Sequence, residues 1–554
     1  MLHAIWQGQP LHVVADTGFG QGLNFLRAWR NWRDDPARCN RLHCAAITPQ
    51  APSRTALLAS ASAHPGLAEL AVELASHWPE PAPPGFHVLP LDGGRVTLTL
   101  CVGGLLPVLQ SWRFLADTVW LANGSGTPDV LRAVARLSHR QTRVACDAAP
   151  DGLPDALQDA GFTVTSTTGH APLTARYAPR WPAPEAPPRG PGHATVLGAG
   201  LAGAALCRAL GRRGWALTLL DQGSGPAQGA SGLPVGLLAP HQTAKPTAMS
   251  QLTDIGARGM KRELARLLPD RQAWQAGLMR MDGTQPPEWL PDAVQVTPAA
   301  LVQAWLEEAH GTGQLTTAWH SPVTSLQRQP QHWALTDGVG RTTHEASMVV
   351  LASAWGSQAL LAPWGGDALA LSPVRGQLSL GLTSDLMEPP EHAINGAGVF
   401  VPRCHWQGQD HWAVGATYER GQSTVEVRAA NHQANLAALQ GWLPALADQL
   451  RPAFQAGRVT GWAQIRCATG DRLPIAGALP DVEALQTHRP VHQQPRLGGL
   501  HALTGLGSRG LTLSLLCAEV LAARLAHEPL PVPAELADAL DPARFALRQR
   551  RRTG

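Results

Sequence analysis

Three glycines and one aspartate carry the clearest chemical signal in the chain. Gly198, Gly200 and Gly203 form a G-x-G-x-x-G pattern, and Asp221 follows 23 residues after the first of them. In such a turn the first glycine takes a backbone angle closed to other residues. The second lets the main chain approach a pyrophosphate, and the third lets a helix pack against a strand. The free N–H groups at the start of that helix face the phosphates, and the helix dipole favours their negative charge. A carboxylate at the position of Asp221 can accept hydrogen bonds from a ribose diol. The predicted chemistry is dinucleotide binding. Two further glycine sets have related spacing. Asp16 leads into Gly18, Gly20 and Gly22, and Gly505, Gly507, Ser508 and Gly510 stand before an apolar stretch.

Each set needs elements to position it. An apolar run ends at Leu197, small residues continue behind Gly203, and a second apolar run closes on Asp221, which reads as strand, turn, helix, strand. Leu11–Ala15 is another short apolar run. Behind its glycines Phe25, Leu26, Trp29 and Trp32 recur at helical spacing, giving a crossover helix with one apolar face. The third set opens a long apolar helix, whose N-terminus can face developing negative charge. Between these sets the pattern predicts a helix over 296–318 and strands over 332–337 and 347–352, with Met348–Ala352 returning to the nucleotide-binding sheet. Six prolines fall between Pro179 and Pro191, so a stiff, extended linker and a domain boundary are expected there. Arg132, Arg136, Arg140 and Arg143 would share one helix face, which is either solvated or lies along a phosphate backbone.

With 554 residues the chain is too long for one ordinary core. Its net charge is only +3, yet 42 of its 44 basic residues are arginine, a bias that suits a phosphate-bearing partner or a GC-rich genome equally. The eight cysteines include no C-x-x-C pair, and several sit in apolar runs, so reduced thiols are expected. No apolar stretch approaches the length of a membrane span and no metal-ligand spacing stands out, so a cytoplasmic protein without membrane attachment or metal is expected.

Asp16-Thr17-Gly18-Phe19-Gly20-Gln21-Gly22-Leu23-Asn24-Phe25-Leu26, together with 84–100 and the Leu-Leu-Pro-Val-Leu after it, resembles the bifunctional enzymes that complete 5-methylaminomethyl-2-thiouridine at the tRNA wobble position, the MnmC type. Pro373–Ser379 is similar to a segment of glycine oxidase and D-amino acid oxidase relatives. The resemblance implies an α/β protein. A Rossmann-like methyltransferase domain over 1–178 would be joined through a linker at 179–192 to a FAD-binding Rossmann-type domain over 193–530. That second domain would carry a mixed α+β substrate domain, and a basic tail would cover 531–554. Gly198, Gly200, Gly203, Asp221, Gly505, Gly507, Ser508 and Gly510 would hold FAD, and Asp16, Gly18, Gly20 and Gly22 would hold S-adenosylmethionine. In the amine oxidase group the arginine matching Arg466 clamps a substrate carboxylate through its planar fork. Pairing of Arg466 with nearby Asp471 is the alternative. Tyr418 either contacts substrate or is a half-buried strand tyrosine.

The implied function is FAD-dependent removal of the carboxymethyl group from 5-carboxymethylaminomethyl-2-thiouridine, followed by methylation of the exposed amine, with the tRNA anticodon region as partner. The first half departs from the family where that methylation would occur. Ala46-Ile47-Thr48-Pro49 stands where an acid would hold the cofactor ribose, and Asn123 replaces an acid beside the methyl acceptor. Asn123 cannot take a proton. The methyltransferase half is therefore expected to keep its fold with its activity lost or weakened. Two other readings remain at this stage: an oxidase of free amino acids or amines, and an oxidase whose first half only holds RNA.

Overall fold

The computed structural model describes residues 6–166, 172–268, 274–281 and 286–553. The chain divides into two compact units, one taking in the chain up to Gly192 with Ala522–Ala537, the other His193–Leu521 with Asp538 onward.

The first unit is built on an eight-stranded sheet. Its order is Gly85–Leu91, Val96–Val102, Arg41–Thr48, Leu11–Asp16, Ala116–Trp120, Ser138–Cys146, Leu173–Tyr177 and Phe162–Ser166. The central strands are parallel and the outer pairs antiparallel. Leu11–Asp16 is buried along its whole length, as a central parallel strand should be. Its crossover helix, Leu23–Asp34, buries Phe25, Leu26, Trp29 and Trp32. The strand order reverses between Leu11–Asp16 and Ala116–Trp120, and Asp16 stands opposite Trp120 at the carboxyl ends of both. A ligand crevice in an open α/β sheet lies at such a reversal.

The second unit has a six-stranded sheet ordered Leu315–Ala318, Ala216–Leu220, His193–Leu197, Val349–Leu351, Arg496–Thr504 and Ile475–Pro480. All its neighbouring pairs are parallel except the last. A nine-stranded sheet lies beside it in sequence, with Ser372–Leu382 paired to Gln409–Gly415 on one side and to Thr460–Ala468 on the other. A three-stranded sheet covers Ser325–Arg328, Trp333–Thr336 and Thr342–Ala346.

Several expectations need correction. The helix expected over 296–318 is Pro298–Gly311, and Leu315–Ala318 is an edge strand. Gly313, at φ +71°, ends the helical run, and Leu-Thr-Thr suits an edge strand better than a helix. The arginine row is split: the helix ends at Arg136, and Arg140 and Arg143 lie on the strand Ser138–Cys146. The proline-rich segment is not a free spacer. Arg189 is buried, with its fork on Asp117 and the Leu115 carbonyl, and the Arg140 N–H donates to the Pro184 carbonyl at 2.8 Å. The division expected at residue 530 falls elsewhere. Trp112 Nε1 donates to the Leu530 carbonyl at 2.8 Å and Arg41 pairs with the buried Glu528, which fixes 522–537 in the first unit. The last stretch is a helix, Ala543–Thr553, and not a loose tail.

Candidate functional site

The strand His193–Leu197 ends at Gly198, whose φ of +109° is open to glycine. A Cβ there would stand 2.8 Å from the backbone of Ala352 and Ser353. A Cβ on Gly203 would lie 1.9 Å from the Gly198 carbonyl oxygen, so the helix Leu201–Gly211 is seated directly on the turn. Leu201 N–H donates to Ser231 Oγ at 2.9 Å, and a Cβ on Gly200 would meet the same oxygen at 2.9 Å. Ser231 thus fixes the helix entry from the loop 229–240. Asp221 follows the strand Ala216–Leu220, and its two oxygens accept the N–H groups of Ala199 and Gly223, each at 2.7 Å. The acid therefore braces the turn, and each oxygen keeps a lone pair for a hydroxyl donor. Beyond Leu201, which Ser231 caps, the first-turn amides of the helix have no intrahelical carbonyl partner.

Gly198, Gly200, Asp221, Gly505, Gly507, Ser508, Gly510, Tyr418 and Arg466 all line one cavity of about 1100 Å³. Gly203 does not; its part is to let the helix close on the turn. The volume exceeds the roughly 300–1,000 Å³ of an ordinary small-molecule cleft, leaving room for a dinucleotide and a second ligand. Gly507–Arg509 forms one short turn ahead of the helix Gly510–Leu525. The residues present fit a flavin dinucleotide: a glycine turn that brings main chain to the ligand, an acid at the strand end and a second helix N-terminus.

Arg466 sits on the strand Thr460–Ala468, opposite Val374 on the neighbouring strand. Its guanidinium folds across Gly376, where a Cβ would come within 2.5 Å of Nη2. Only glycine at that point lets the fork lie flat. The Arg466 side chain makes one long hydrogen bond, from Nη1 to the Thr417 carbonyl at 3.5 Å, and the ring centre of Tyr418 is 5.7 Å from its Cζ. Burial pulls the Arg466 pKa below its ordinary value. Asp471 does not pair with it. That acid is held by Arg544 at 3.0 Å through both oxygens and by Arg548 at 2.7 Å. The next arginine in the sheet, Arg375, is fully buried and engaged by Glu419 at 2.9 Å and Gln377 at 2.9 Å. Tyr418 is 51% exposed and precedes the short strand Glu419–Arg420, so the strand part of the half-buried strand alternative is corrected. Gly376 and Ser231 were not singled out by sequence reasoning. Their signal is the small residue required beside a folded arginine and beside a helix start.

In the first unit Asp16 Oδ1 accepts the Gly18 N–H at 2.9 Å, while its buried Oδ2 has no hydrogen-bond partner among the described residues. Burial raises its pKa from 3.8 to about 6. Gly20 and Gly22 take left-handed angles of +55° and +79°, and a Cβ on Gly18 would meet Ala122 Cβ at 2.4 Å. This turn fits one polar end of a ligand. The remainder of an S-adenosylmethionine site fits less well. Thr48 Oγ1 is turned to the Gln50 carbonyl at 2.6 Å, Phe19 N–H is taken by the Ile47 carbonyl at 3.0 Å, and Asn123 is exposed on its turn.

Among the described residues no group of three or more His, Cys, Asp or Glu could hold a metal ion, and no helix is long and apolar enough to cross a membrane. Most of the arginines flagged for RNA are engaged internally. Arg132 pairs with Asp129, Arg136 binds the carbonyls of Leu109, Gln110 and Trp112, and Arg140 pairs with Glu185 at 3.3 Å.

The chain matches the family described as FAD dependent oxidoreductase over residues 193–289 and 288–524. It is similar to the tRNA 5-methylaminomethyl-2-thiouridine biosynthesis bifunctional protein MnmC of Polaromonas naphthalenivorans (strain CJ2). The identity is 37% over 602 residues, covering 97% of this chain and 91% of that protein. The protein of the same description from Albidiferax ferrireducens is 37% identical, covering 98% of this chain and 94% of that protein. Fold alone is shared with fructosyl amine: oxygen oxidoreductase (Amadoriase I) from Aspergillus fumigatus. The TM-score is 0.50 and the identity 14%, with 66% of this chain and 93% of that chain covered.

Proposed function

The chain belongs to the family of MnmC-type bifunctional tRNA 5-methylaminomethyl-2-thiouridine biosynthesis proteins, and on that footing we propose how its two units act. The second unit is a FAD-dependent oxidoreductase acting on a CH–NH bond. It removes the carboxymethyl group from 5-carboxymethylaminomethyl-2-thiouridine in tRNA and leaves the aminomethyl nucleoside. The observation that carries this reading is the available fork of Arg466, partly buried and without an acidic partner among the described residues, in the cavity that the glycine turn opens into.

The substrate group ends in N–CH2–COO⁻. Arg466 offers two parallel N–H donors to its carboxylate, which fixes the methylene carbon in place. Bound FAD supplies the two-electron acceptor for the hydride lost by that carbon. The nitrogen must be neutral for this step. The positive charge of Arg466 and the apolar wall of Leu378, Val401 and Ala413 both disfavour the ammonium form. The C–N bond becomes C=N, and water then cleaves this imine into glyoxylate and the primary amine. Tyr418, half exposed beside Arg466, offers a ring face to the uracil. The eight free, buried cysteines are in keeping with a reducing cytoplasm.

The first unit, in this reading, performs no efficient methyl transfer. Its glycine turn is intact, but position 123 brings no carboxylate to the amine and the end of the strand Arg41–Thr48 brings none to a ribose.

The test is nucleoside mass spectrometry of tRNA carrying the carboxymethylaminomethyl group, incubated with the purified yellow protein with and without S-adenosylmethionine. The expected product is the aminomethyl nucleoside in both reactions. A methylated product would overturn the reading of the first unit. Oxidation of free glycine with tRNA left untouched would overturn the choice of substrate.

A further inference from the structure

The cavity holds more positive charge than one substrate carboxylate uses. Among the described residues four arginines line it, Arg280, Arg466, Arg472 and Arg509, against one acid, Asp221. Arg280 is neutralised by Glu288, and Asp221 is occupied with the turn amides. Arg466 serves the carboxylate. Arg472 and Arg509 are left over. Arg509 contacts His241 Nδ1 at 3.2 Å, and Arg472 is exposed at the cavity edge with no acidic partner among the described residues. Both line the same cavity, where burial first and the neighbouring Arg472 charge second lower the pKa of Arg509, and burial, Arg509 and Arg472 lower that of His241.

A second observation is independent of charge. Arg472 has φ +64°, a left-handed conformation that favours glycine and strains an arginine. The turn holds it there. Thr469 Oγ1 donates to the Leu473 carbonyl at 2.8 Å, Leu473 N–H donates to Asp471 Oδ1 at 3.2 Å, and Arg544 and Arg548 clasp Asp471 from the helix Ala543–Thr553. A glycine would occupy this position without strain. What the arginine adds is a guanidinium at the cavity rim.

We propose that Arg472, with Arg509 beside it, forms an anion site that holds a phosphodiester oxygen of the RNA strand next to the modified nucleoside. The site rests on the reading of tRNA as substrate. The cofactor's phosphates are served by the glycine turn and its helix N-terminus, and the substrate's one carboxylate by Arg466. An exposed cation at the rim meets what lies outside the cavity, and on an RNA substrate that is the flanking backbone.

The experiment measures binding of tRNA bearing the carboxymethylaminomethyl nucleoside to the FAD-loaded protein over a range of salt. Arg472→Gly removes the cation and relieves the backbone, while Arg472→Lys keeps the charge. The Gly variant is expected to retain FAD, to unfold no earlier than wild type and to lower the slope of log Kd against log salt by about 0.7–0.9. The Lys variant is expected to keep the slope. An unchanged slope in a folded, yellow Arg472→Gly overturns the proposal, and loss of FAD from it would reassign Arg472 to the cofactor. Wild-type protein that binds this tRNA without salt dependence, or not at all, would bring down the tRNA reading itself.

Discussion

Arg466→Ala is the substitution that tests the proposed chemistry most directly. Among the described residues the guanidinium makes only a 3.5 Å bond, to the Thr417 carbonyl, so its donors are available to a ligand. A hydrogen bond to a charged group is worth about 1.5–3 kcal/mol, and two parallel bonds in a desolvated cavity would together supply about 3–5 kcal/mol. At 1.36 kcal/mol per tenfold, Arg466→Ala should lower kcat/KM on the modified tRNA by roughly 10²- to 10⁴-fold. Arg466→Lys keeps the charge but not the fork, and should fall by roughly 10- to 100-fold. Neither change should weaken the fold, because the partly buried guanidinium has no acidic partner among the described residues to leave behind. Gly376→Ala is an orthogonal test. It keeps Arg466 but puts a methyl group 2.5 Å from Nη2, which displaces the fork and should reproduce most of the loss. The assay is the rate of aminomethyl nucleoside formation, with flavin absorbance and thermal unfolding measured alongside. Arg466→Ala activity within about threefold of wild type would refute the clamp. A large fall in unfolding temperature would assign Arg466 to the fold.

Two further outcomes follow from the glycine turns. Gly203→Ala places a Cβ 1.9 Å from the Gly198 carbonyl oxygen, so the turn must open at a cost on the order of 3 kcal/mol, and the variant should purify without its yellow colour; full flavin occupancy would contradict this. Asp16 has a folded pKa raised to about 6 from 3.8, so its ionisation opposes folding progressively as pH rises from about 4 through 6. Asp16→Asn should therefore stabilise the first unit at pH 8, by at most about 3 kcal/mol, and match wild type at pH 4 in denaturant titrations; an equal gain at both values would show that the charge is not the cause.

Much of the nucleotide-binding fold was legible in the sequence because its causes are local. A glycine that must take φ +109°, an acid 23 residues on and an apolar run at 348–352 each point to a strand end or a buried strand without knowledge of distant partners. The strand Val349–Leu351 does pair with His193–Leu197. The helix expected over 296–318 overran its end because Gly313, in a left-handed conformation, closes it, and the Leu-Thr-Thr run beyond is taken up by the sheet edge offered by Ala216–Leu220. The placement of 522–537 was illegible for a similar reason. Nothing near Glu528 in the chain indicates that Arg41 will pair with it.

The arginines show why spacing alone misleads about a binding surface. The basic run near the carboxyl end reads in the sequence as a tail, yet Arg544 and Arg548 bind Asp471, Arg550 binds the Leu485 and Glu483 carbonyls, and Arg551 binds the Thr487 carbonyl. Clustered in sequence, they are consumed by the fold. Arg466, Arg472 and Arg509 are scattered over 44 residues and converge on one cavity, none of them paired with an acid among the described residues. The two groups are linked through Asp471. By holding that acid, the terminal helix keeps it from Arg466 and fixes the strained turn under Arg472. Asp471→Ala should therefore leave Arg466 unpaired as before but free Arg472 from its left-handed angle. Its effect should appear as weaker, less salt-dependent tRNA binding, with oxidation of the carboxymethyl group intact once the tRNA is saturating. Loss of turnover at saturating tRNA would instead show that Asp471 supports the carboxylate clamp.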